Sequence, residues 1–436
     1  MWPYFPELLE TPVPRYTSYP TAADFGPIEP TALSQAIAGA SGDISLYLHI
    51  PFCEKICYYC GCNTGAANKR LRVMSYLAAL HQEIETVAAL LPRDAKVRRI
   101  AFGGGSPNAI RAREFIDLVD AIHRNFWLDE TEWSIELDPR SFDSVFASAI
   151  EDAGITRASM GVQTFAAHCQ KAIGRVQSDA MICRSIDMLR SAGVQSLNFD
   201  LMYGLPYQTE EDLADSLSYT RLLGADRIAV FGYAHVPHLV PRQRMIDASA
   251  LPGKDERFAM AALGYVDLVD HGYEAVGFDH FALPFDSLAK AARNGTLHRN
   301  FQGFTEDQSE VLIGLGASAI SGFPHLIAQN EKNTGLYRKQ ASQGQIAASR
   351  GIVRSPEDQL RARVITDLLC AGETRISPCL LTRHQEQLEP FIQKGLAEMD
   401  GLCLRILPAG LPYARVVASV FDSYRETAAK SFSSAI

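Results

Sequence analysis

Between residues 44 and 281, short β-rich apolar runs alternate with stretches whose apolar positions recur at helical spacing. The strand candidates are residues 44–50, 97–103, 133–138, 157–163, 196–203, 227–233 and 273–278. Between them, helices are expected over 72–91, 111–125, 142–153, 179–192, 210–222 and 255–271. Several of these end on glycine, as at Ala153-Gly154, Ala192-Gly193 and His271-Gly272, which suits a left-handed helix stop. Six alternations of strand and helix predict parallel strands joined by right-handed crossovers. The fold class expected is α/β, as an open or partial (β/α) barrel rather than a flat doubly wound sheet. Chemistry in such barrels gathers at the C-terminal ends of the strands.

The flanks follow different patterns. Residues 1–42 read as an N-terminal extension rich in proline and aromatic residues, densest at Arg15-Tyr-Thr-Ser-Tyr-Pro20. Residues 303–351 are mixed, with a small-residue helix expected around 312–319. Residues 355–436 read as mainly helical. The division expected is an extension over 1–42, a catalytic barrel domain over 43–350 and a mainly helical C-terminal domain over 351–436.

Composition narrows the class. At 436 residues, with 47% hydrophobic and 21% charged, the chain has the make-up of a soluble globular protein. No apolar run is long enough to span a bilayer, and the opening Met1-Trp2-Pro3-Tyr4 lacks the basic start of a signal peptide. A cytoplasmic address without membrane association is expected, where thiolate-bound metals persist and structural disulfides are rare. A net charge of -9 argues against broad nucleic-acid binding, though a pocket can be locally basic. Oligomeric state is unmarked, and a monomer is the default.

Four of the nine cysteines lie in Cys53-Glu-Lys-Ile-Cys57-Tyr-Tyr-Cys60-Gly-Cys62, on a loop leaving the first strand candidate. C-x3-C-x2-C offers three soft ligands from one loop, which suits a four-iron cluster with one iron left open. A structural zinc site usually draws two ligand pairs from two loops, and no second pair follows here. Zinc nonetheless stays open on spacing, as does Cys62 as a fourth ligand. Cys169, Cys183, Cys370, Cys379 and Cys403 are scattered and read as small buried hydrophobes.

Other polar motifs sit at strand ends. Gly103-Gly104-Gly105-Ser106-Pro107 follows the second strand, where absent side chains let backbone N–H groups approach a bound molecule. Ser134-Ile-Glu136-Leu-Asp138-Pro139 ends the third, with Glu136 and Asp138 on one face at the mouth. Gln163 ends the fourth strand and Asp200 lies near the end of the fifth. Arg175 alone reads as a solvated surface residue. His235, His238, Arg242, His280, His298 and Arg299 read as a late cluster of cations suited to a polyanion. No P-loop, G-x-S-x-G or H-E-x-x-H is present.

The Cys loop with Tyr59 before its last ligand, followed by the glycine triplet, resembles the radical S-adenosylmethionine (SAM) superfamily. Within it the chain is similar to the oxygen-independent coproporphyrinogen III oxidase (coproporphyrinogen dehydrogenase) family. The likeness is carried by Arg15-Tyr-Thr-Ser-Tyr-Pro-Thr21, Tyr47-Leu-His-Ile-Pro-Phe-Cys53, Cys60-Gly-Cys62, Ser159-Met-Gly-Val-Gln163, Asn198-Phe-Asp-Leu-Met-Tyr-Gly-Leu-Pro206, Tyr233-Ala-His235 and His298-Arg-Asn-Phe-Gln302. It is strong over about residues 10–330 and weak in the tail.

The resemblance implies a partial (β/α)6-type barrel and a [4Fe-4S] cluster on Cys53, Cys57 and Cys60, with Cys62 a family marker. It implies two SAM molecules. Tyr47, Gly104, Glu136, Ala234 and Ile320 would contact the first, and Tyr59, Gly105, Ser106, Gln163, Arg175 and Asp200 the second. The three cluster cysteines and Glu136 would be the catalytic set. The activity implied is oxidative decarboxylation of two propionates of coproporphyrinogen III to vinyl groups, giving protoporphyrinogen IX in haem biosynthesis without oxygen. A reductant such as flavodoxin or ferredoxin would supply electrons, and the N-terminal extension would cap the active site.

Two departures stand out: Ser106 where threonine is expected, and Phe304-Thr305-Glu306 where Tyr-Thr-Thr is expected. Three alternatives compete: a haem-binding radical SAM chaperone, an anaerobic haem-opening radical SAM methyltransferase and a zinc-stabilised barrel. Cys60-Gly-Cys62 and His298-Arg-Asn-Phe-Gln302 set the chain apart from the chaperones.

Overall fold

The computed structural model describes residues 2–425. Six parallel strands form its centre: Asp43–Ile50, Lys96–Gly104, Leu128–Leu137, Arg157–Gln163, Ser196–Tyr203 and Arg227–Gly232. Each is followed by a helix that packs outside: Arg70–Leu90, Ala112–Asn125, Ser144–Asp152, Asp179–Ser191, Glu210–Leu222 and Lys254–Asp270. The first strand is buried at six of its eight positions, because helices cover one face and the barrel interior the other. Burial of each such aliphatic side chain stabilises by about 1.5–3 kcal/mol. Gly154, Gly193 and Gly272 all adopt positive φ at the predicted helix stops.

The barrel stays open. Its strands belong to one 13-stranded sheet whose edges are Gly26–Pro27 and Glu274–Val276. Two expectations need correction. The seventh strand candidate shrinks to Glu274–Val276 and forms a hairpin with His280–Ala282, which runs antiparallel to the sixth strand. The helix expected around 312–319 is instead the strand Val311–Leu315, parallel to the first strand, turning into Ile320–Gly322. Its small residues serve close pairing: Gly316 and Ser318 take positive φ in the turn, and buried Glu83 accepts the Gly316 N–H at 2.6 Å. Tyr337 Oη and Asn330 Nδ2 donate to the same carboxylate at 2.6 and 2.7 Å.

The floor of the barrel is ionic. Glu306 accepts from Arg157, from Arg227 Nη2 at 3.1 Å and from Ser287 Oγ at 2.6 Å, with Arg99 Nη1 at 3.5 Å. These arginines enter from the N-terminal parts of the second, fourth and sixth strands. The Phe304-Thr305-Glu306 departure thus supplies the carboxylate that plugs this end.

The C-terminal part carries the helices Pro356–Cys370, Pro378–Gln393 and Ala414–Ser419. It also holds a three-stranded antiparallel sheet of Glu373–Arg375, Ala397–Asp400 and Cys403–Ile406, absent from the sequence reading. The N-terminal residues tie this part to the barrel. Tyr16 Oη donates to Asp422 at 2.9 Å, while Arg15 Nη2 donates to Gly232 O at 3.0 Å, at the end of the sixth strand. Among the described residues, no helix is long and apolar enough to cross a membrane.

Candidate active site

The Cys loop is clamped to the second strand by backbone contacts. Gly105 N donates to Ile50 O and Ser106 N to Phe52 O, both at 2.8 Å. A Cβ on Gly105 would lie 2.5 Å from Phe52 O and 2.7 Å from Phe52 N, and one on Gly104 would lie 2.6 Å from the His49 ring. The glycine triplet therefore also lets the Cys loop dock against the strand end, a need the sequence reading missed. Gly104 sits at φ 112, which only glycine tolerates well.

All nine cysteines are free. Cys53 and Cys57 are buried and Cys60 is half-buried, whereas Cys62 is exposed. Burial pushes the Cys53 thiol up to about 11. A hydrogen bond from the Cys62 thiol brings Cys60 down to about 6, and Cys62 N donates to Cys60 Sγ at 3.4 Å. One zinc ion would need sulfurs about 3.8 Å apart, given Zn–S near 2.3 Å. Among the described residues, the group of three metal-capable side chains with ligand atoms all within 4.8 Å is His168, Cys169 and Asp212, none of them a loop thiol. Three thiols from one short loop, two of them buried, form a soft donor set that suits an iron–sulfur cluster.

Two arginine side chains reach the sulfur of Cys57. Arg175, read from sequence as a surface residue, is buried and corrects that reading. Its Nη1 donates to Cys57 Sγ at 3.3 Å, its Nη2 to Asp138 Oδ1 at 3.3 Å and its Nε to Gly161 O at 3.0 Å. Against the lowering effect of burial, Tyr59, Asp138 and Cys57 hold this guanidinium above its ordinary range. Although burial would raise Asp138, Arg175 and Arg140 hold it below the usual carboxylate range.

The acceptors line the lumen, a cavity of about 380 Å³ bounded by Ser134, Glu136, Ser159, Asn198 and Asp200 among others. Glu136 is open to the lumen yet deep inside the barrel, and burial and then Asp200 push it up to about 7. Gly104 N donates to its Oε2 at 3.3 Å. Asp200 is also raised, chiefly by burial, and accepts from Asn198 Nδ2 at 2.8 Å and Ser159 Oγ at 3.1 Å. Gln163 closes the fourth strand at φ 70, a left-handed conformation uncommon for a side-chain-bearing residue.

The remaining predicted contacts occupy varied settings. Tyr47 Oη bonds His49 Nδ1 at 3.2 Å, and burial lowers His49 to about 4. Tyr59 lies against the apolar group of Cys169, Ile173, Leu205 and Tyr233, and its carbonyl accepts from Gln243 Nε2 at 2.9 Å. The same amide donates to Ala234 O at 3.0 Å. Ser106 is buried and its hydroxyl turns to Asn108 Oδ1 at 2.5 Å. Ile320 begins the strand beyond the Gly316 turn.

The six late cations divide into separate settings, with His238 exposed beyond the sixth strand. His298 is exposed and bonds Gln308 Oε1 at 3.0 Å. His235 bonds Tyr233, and Arg242 lends its charge to Cys60. His280 pairs with Asp279 at 2.7 Å. The Arg299 guanidinium lies 4.3 Å from the Phe304 ring and 5.0 Å from Phe278, and its Nη1 has no hydrogen-bond partner among the described residues. Arg15, over Phe231 at 5.0 Å, helps Arg299 and His280 hold Asp279 down at about 2 against burial. Arg140 was missed altogether; its signal was the Asp138-Pro-Arg turn directly behind Glu136.

Known proteins match this arrangement. Residues 47–220 match the family model described as Radical SAM superfamily. The chain is 39% identical over 442 residues to an oxygen-independent coproporphyrinogen III oxidase of Bradyrhizobium diazoefficiens, covering 98% of each chain. It is 41% identical over 433 residues to one of Cereibacter sphaeroides, covering 96% of this chain and 95% of that one. Among solved structures it is similar to coproporphyrinogen III oxidase (HemN) from Escherichia coli, described as a radical SAM enzyme. That match has a TM-score of 0.90 at 35% identity and covers 97% of this chain and 99% of the other.

Proposed function

The chain belongs to the oxygen-independent coproporphyrinogen III oxidases of the radical SAM superfamily, and from that premise we propose that its own residues carry out the reaction as follows. It is an oxidoreductase of haem biosynthesis with a [4Fe-4S] cluster and SAM as cofactors. Its reaction takes one β-hydrogen, carbon dioxide and one electron from each of two propionates of coproporphyrinogen III, leaving the vinyl groups of protoporphyrinogen IX. The observation that carries this reading is full-length similarity combined with three thiols on a loop clamped to the barrel mouth. The oxidase names of the full-length relatives do not favour the chaperone or haem-opening alternatives.

Cys53, Cys57 and Cys60 would hold the cluster. When bound, the cluster and SAM supply a one-electron cleavage of the sulfonium that gives methionine and a hydrogen-abstracting 5'-deoxyadenosyl radical. Glu136, with a pKa near 7, would accept the amino group of the first SAM, flanked by Tyr47, Gly104, Ala234 and Ile320. Asp200 and Gln163 would offer acceptors to a second, with Tyr59, Gly105, Ser106 and Arg175 around it. Arg299 and Arg15 offer guanidinium groups to the substrate's carboxylates, since Arg299 Nη1 is otherwise unmatched. The N-terminal residues 1–42 would cap the mouth and exclude water and oxygen.

The protein's task is positioning; the hard chemistry belongs to the cofactors. The reductant is inferred to be a low-potential carrier such as flavodoxin or ferredoxin, and the working unit a cytoplasmic monomer. The test is an anaerobic incubation with SAM, reductant and coproporphyrinogen III. Protoporphyrinogen IX and 5'-deoxyadenosine are expected together. If 5'-deoxyadenosine forms without any vinyl product, the substrate assignment fails.

A further inference from the structure

Arg140 lies outside every cofactor and substrate contact assigned above, yet it is among the most confined cations in the molecule. It sits in the short turn Pro139–Ser141 that leaves the third strand, and its side chain is 5% exposed. The guanidinium is locked by the residue two places before it. Nε donates to Asp138 Oδ1 and Oδ2 at 3.0 and 3.1 Å, and Nη2 donates to Oδ2 at 2.6 Å. Held there, Nη2 also reaches Lys55 O at 3.0 Å and Cys57 Sγ at 3.2 Å. Closing the turn does not need this side chain, because the Arg140 backbone N–H already donates to Asp138 Oδ1.

The three loop thiols are treated unequally. Cys53 Sγ meets the neutral Thr64 hydroxyl at 3.2 Å, and Cys60 Sγ meets the backbone N–H of Cys62 at 3.4 Å and its neutral thiol, with Arg242 acting on it only as a neighbouring charge. Cys57 Sγ alone takes two guanidinium donors, from Arg140 at 3.2 Å and Arg175 at 3.3 Å, bridged by one shared carboxylate. Two cations and one anion leave a net positive charge at one sulfur. Hydrogen bonds to cluster sulfurs and positive charge beside them stabilise the reduced, more negative member of an iron–sulfur couple.

We propose that Arg140, fixed by Asp138, is a positioning residue that holds the Cys57 thiolate and raises the reduction potential of the cluster. The inference rests on the reading of Cys57 as a cluster ligand. Its consequence is that a weaker one-electron donor suffices to load the enzyme. Arg140 suits the test better than Arg175, whose loss would also disturb the proposed cofactor contacts.

The test is an electron-paramagnetic-resonance redox titration of the full-length, anaerobically reconstituted enzyme without SAM, with iron and sulfide content measured on the same samples. Arg140→Gln keeps an amide donor and removes the charge; Arg140→Lys keeps the charge and loses the fork. With full cluster content, Arg140→Gln is expected to lower the reduced-to-oxidised ratio about tenfold at the wild-type midpoint, ~59 mV for one electron. Arg140→Lys is expected to shift it less. An unchanged midpoint in Arg140→Gln overturns the proposal. If that variant assembles no cluster, Arg140→Lys decides: a lowered midpoint supports the proposal and an unchanged one overturns it. Cluster loss in both makes Arg140 an assembly residue and equally overturns it. Absence of any cluster signal in the wild type would instead remove the ligand assignment on which the inference rests.

Discussion

The pH dependence of SAM binding tests the site through Glu136. Its carboxyl is pushed up to about 7, by burial first and then by Asp200, and only one backbone N–H, from Gly104 at 3.3 Å, relieves the ionised form. A carboxylate that receives an ammonium group must be ionised to do so. With a midpoint near 7, the ionised fraction is about one in eleven at pH 6 and about ten in eleven at pH 8. The Glu136-dependent part of the affinity therefore falls about tenfold from pH 8 to pH 6. Calorimetric titration of SAM into reconstituted enzyme gives that slope, and Glu136→Gln isolates it, since the ligand's own titration is common to both proteins. The variant should bind more weakly at pH 8, with a profile flatter by about one decade across this range. A Gln variant with the wild-type slope would refute the reasoning and remove Glu136 from the contact.

Three further outcomes follow from the geometry. Cys57→Ser should abolish cluster assembly, whereas Cys62→Ser should keep most of the iron, since Cys62 is exposed and serves Cys60 as a donor; iron and sulfide analysis reads both. Gly105→Ala drives a Cβ into Phe52 backbone atoms at 2.5 and 2.7 Å, so it should cost about 1–3 kcal/mol in urea denaturation and lower iron retention with the far-ultraviolet circular dichroism unchanged. Glu306→Gln leaves Arg99, Arg157 and Arg227 short of a buried counter-ion and should cost about 3–5 kcal/mol. Burial would raise Glu306, but those arginines depress it below its ordinary 4.5. Its contribution is therefore full above about pH 4.5 and is lost as pH falls through the lower folded value, so the variant's deficit should shrink in acid.

Much of the barrel was legible because each central strand and helix has its own period. Arg157–Gln163, Ser196–Tyr203 and Glu210–Leu222 coincide with their predicted limits. Val311–Leu315 was not legible: five consecutive buried residues carry no period that separates strand from helix, and its partner Ile44–Leu48 lies far away in sequence. The C-terminal sheet escaped because its strands are three or four residues long. At the site, residue types were readable and environments were not. Arg175 looks like any surface arginine until Cys57, Asp138 and Gly161 surround it. Glu306 read as a departure from a family pattern, and the structure gives it three arginine partners.

The proposed reaction turns on removal of a propionate β-hydrogen by a SAM-derived radical. It is tested most directly with coproporphyrinogen III deuterated at the β-carbons of its propionates. Deuterium is expected in the 5'-deoxyadenosine formed, in step with vinyl product. Vinyl product accompanied by 5'-deoxyadenosine free of deuterium would contradict it.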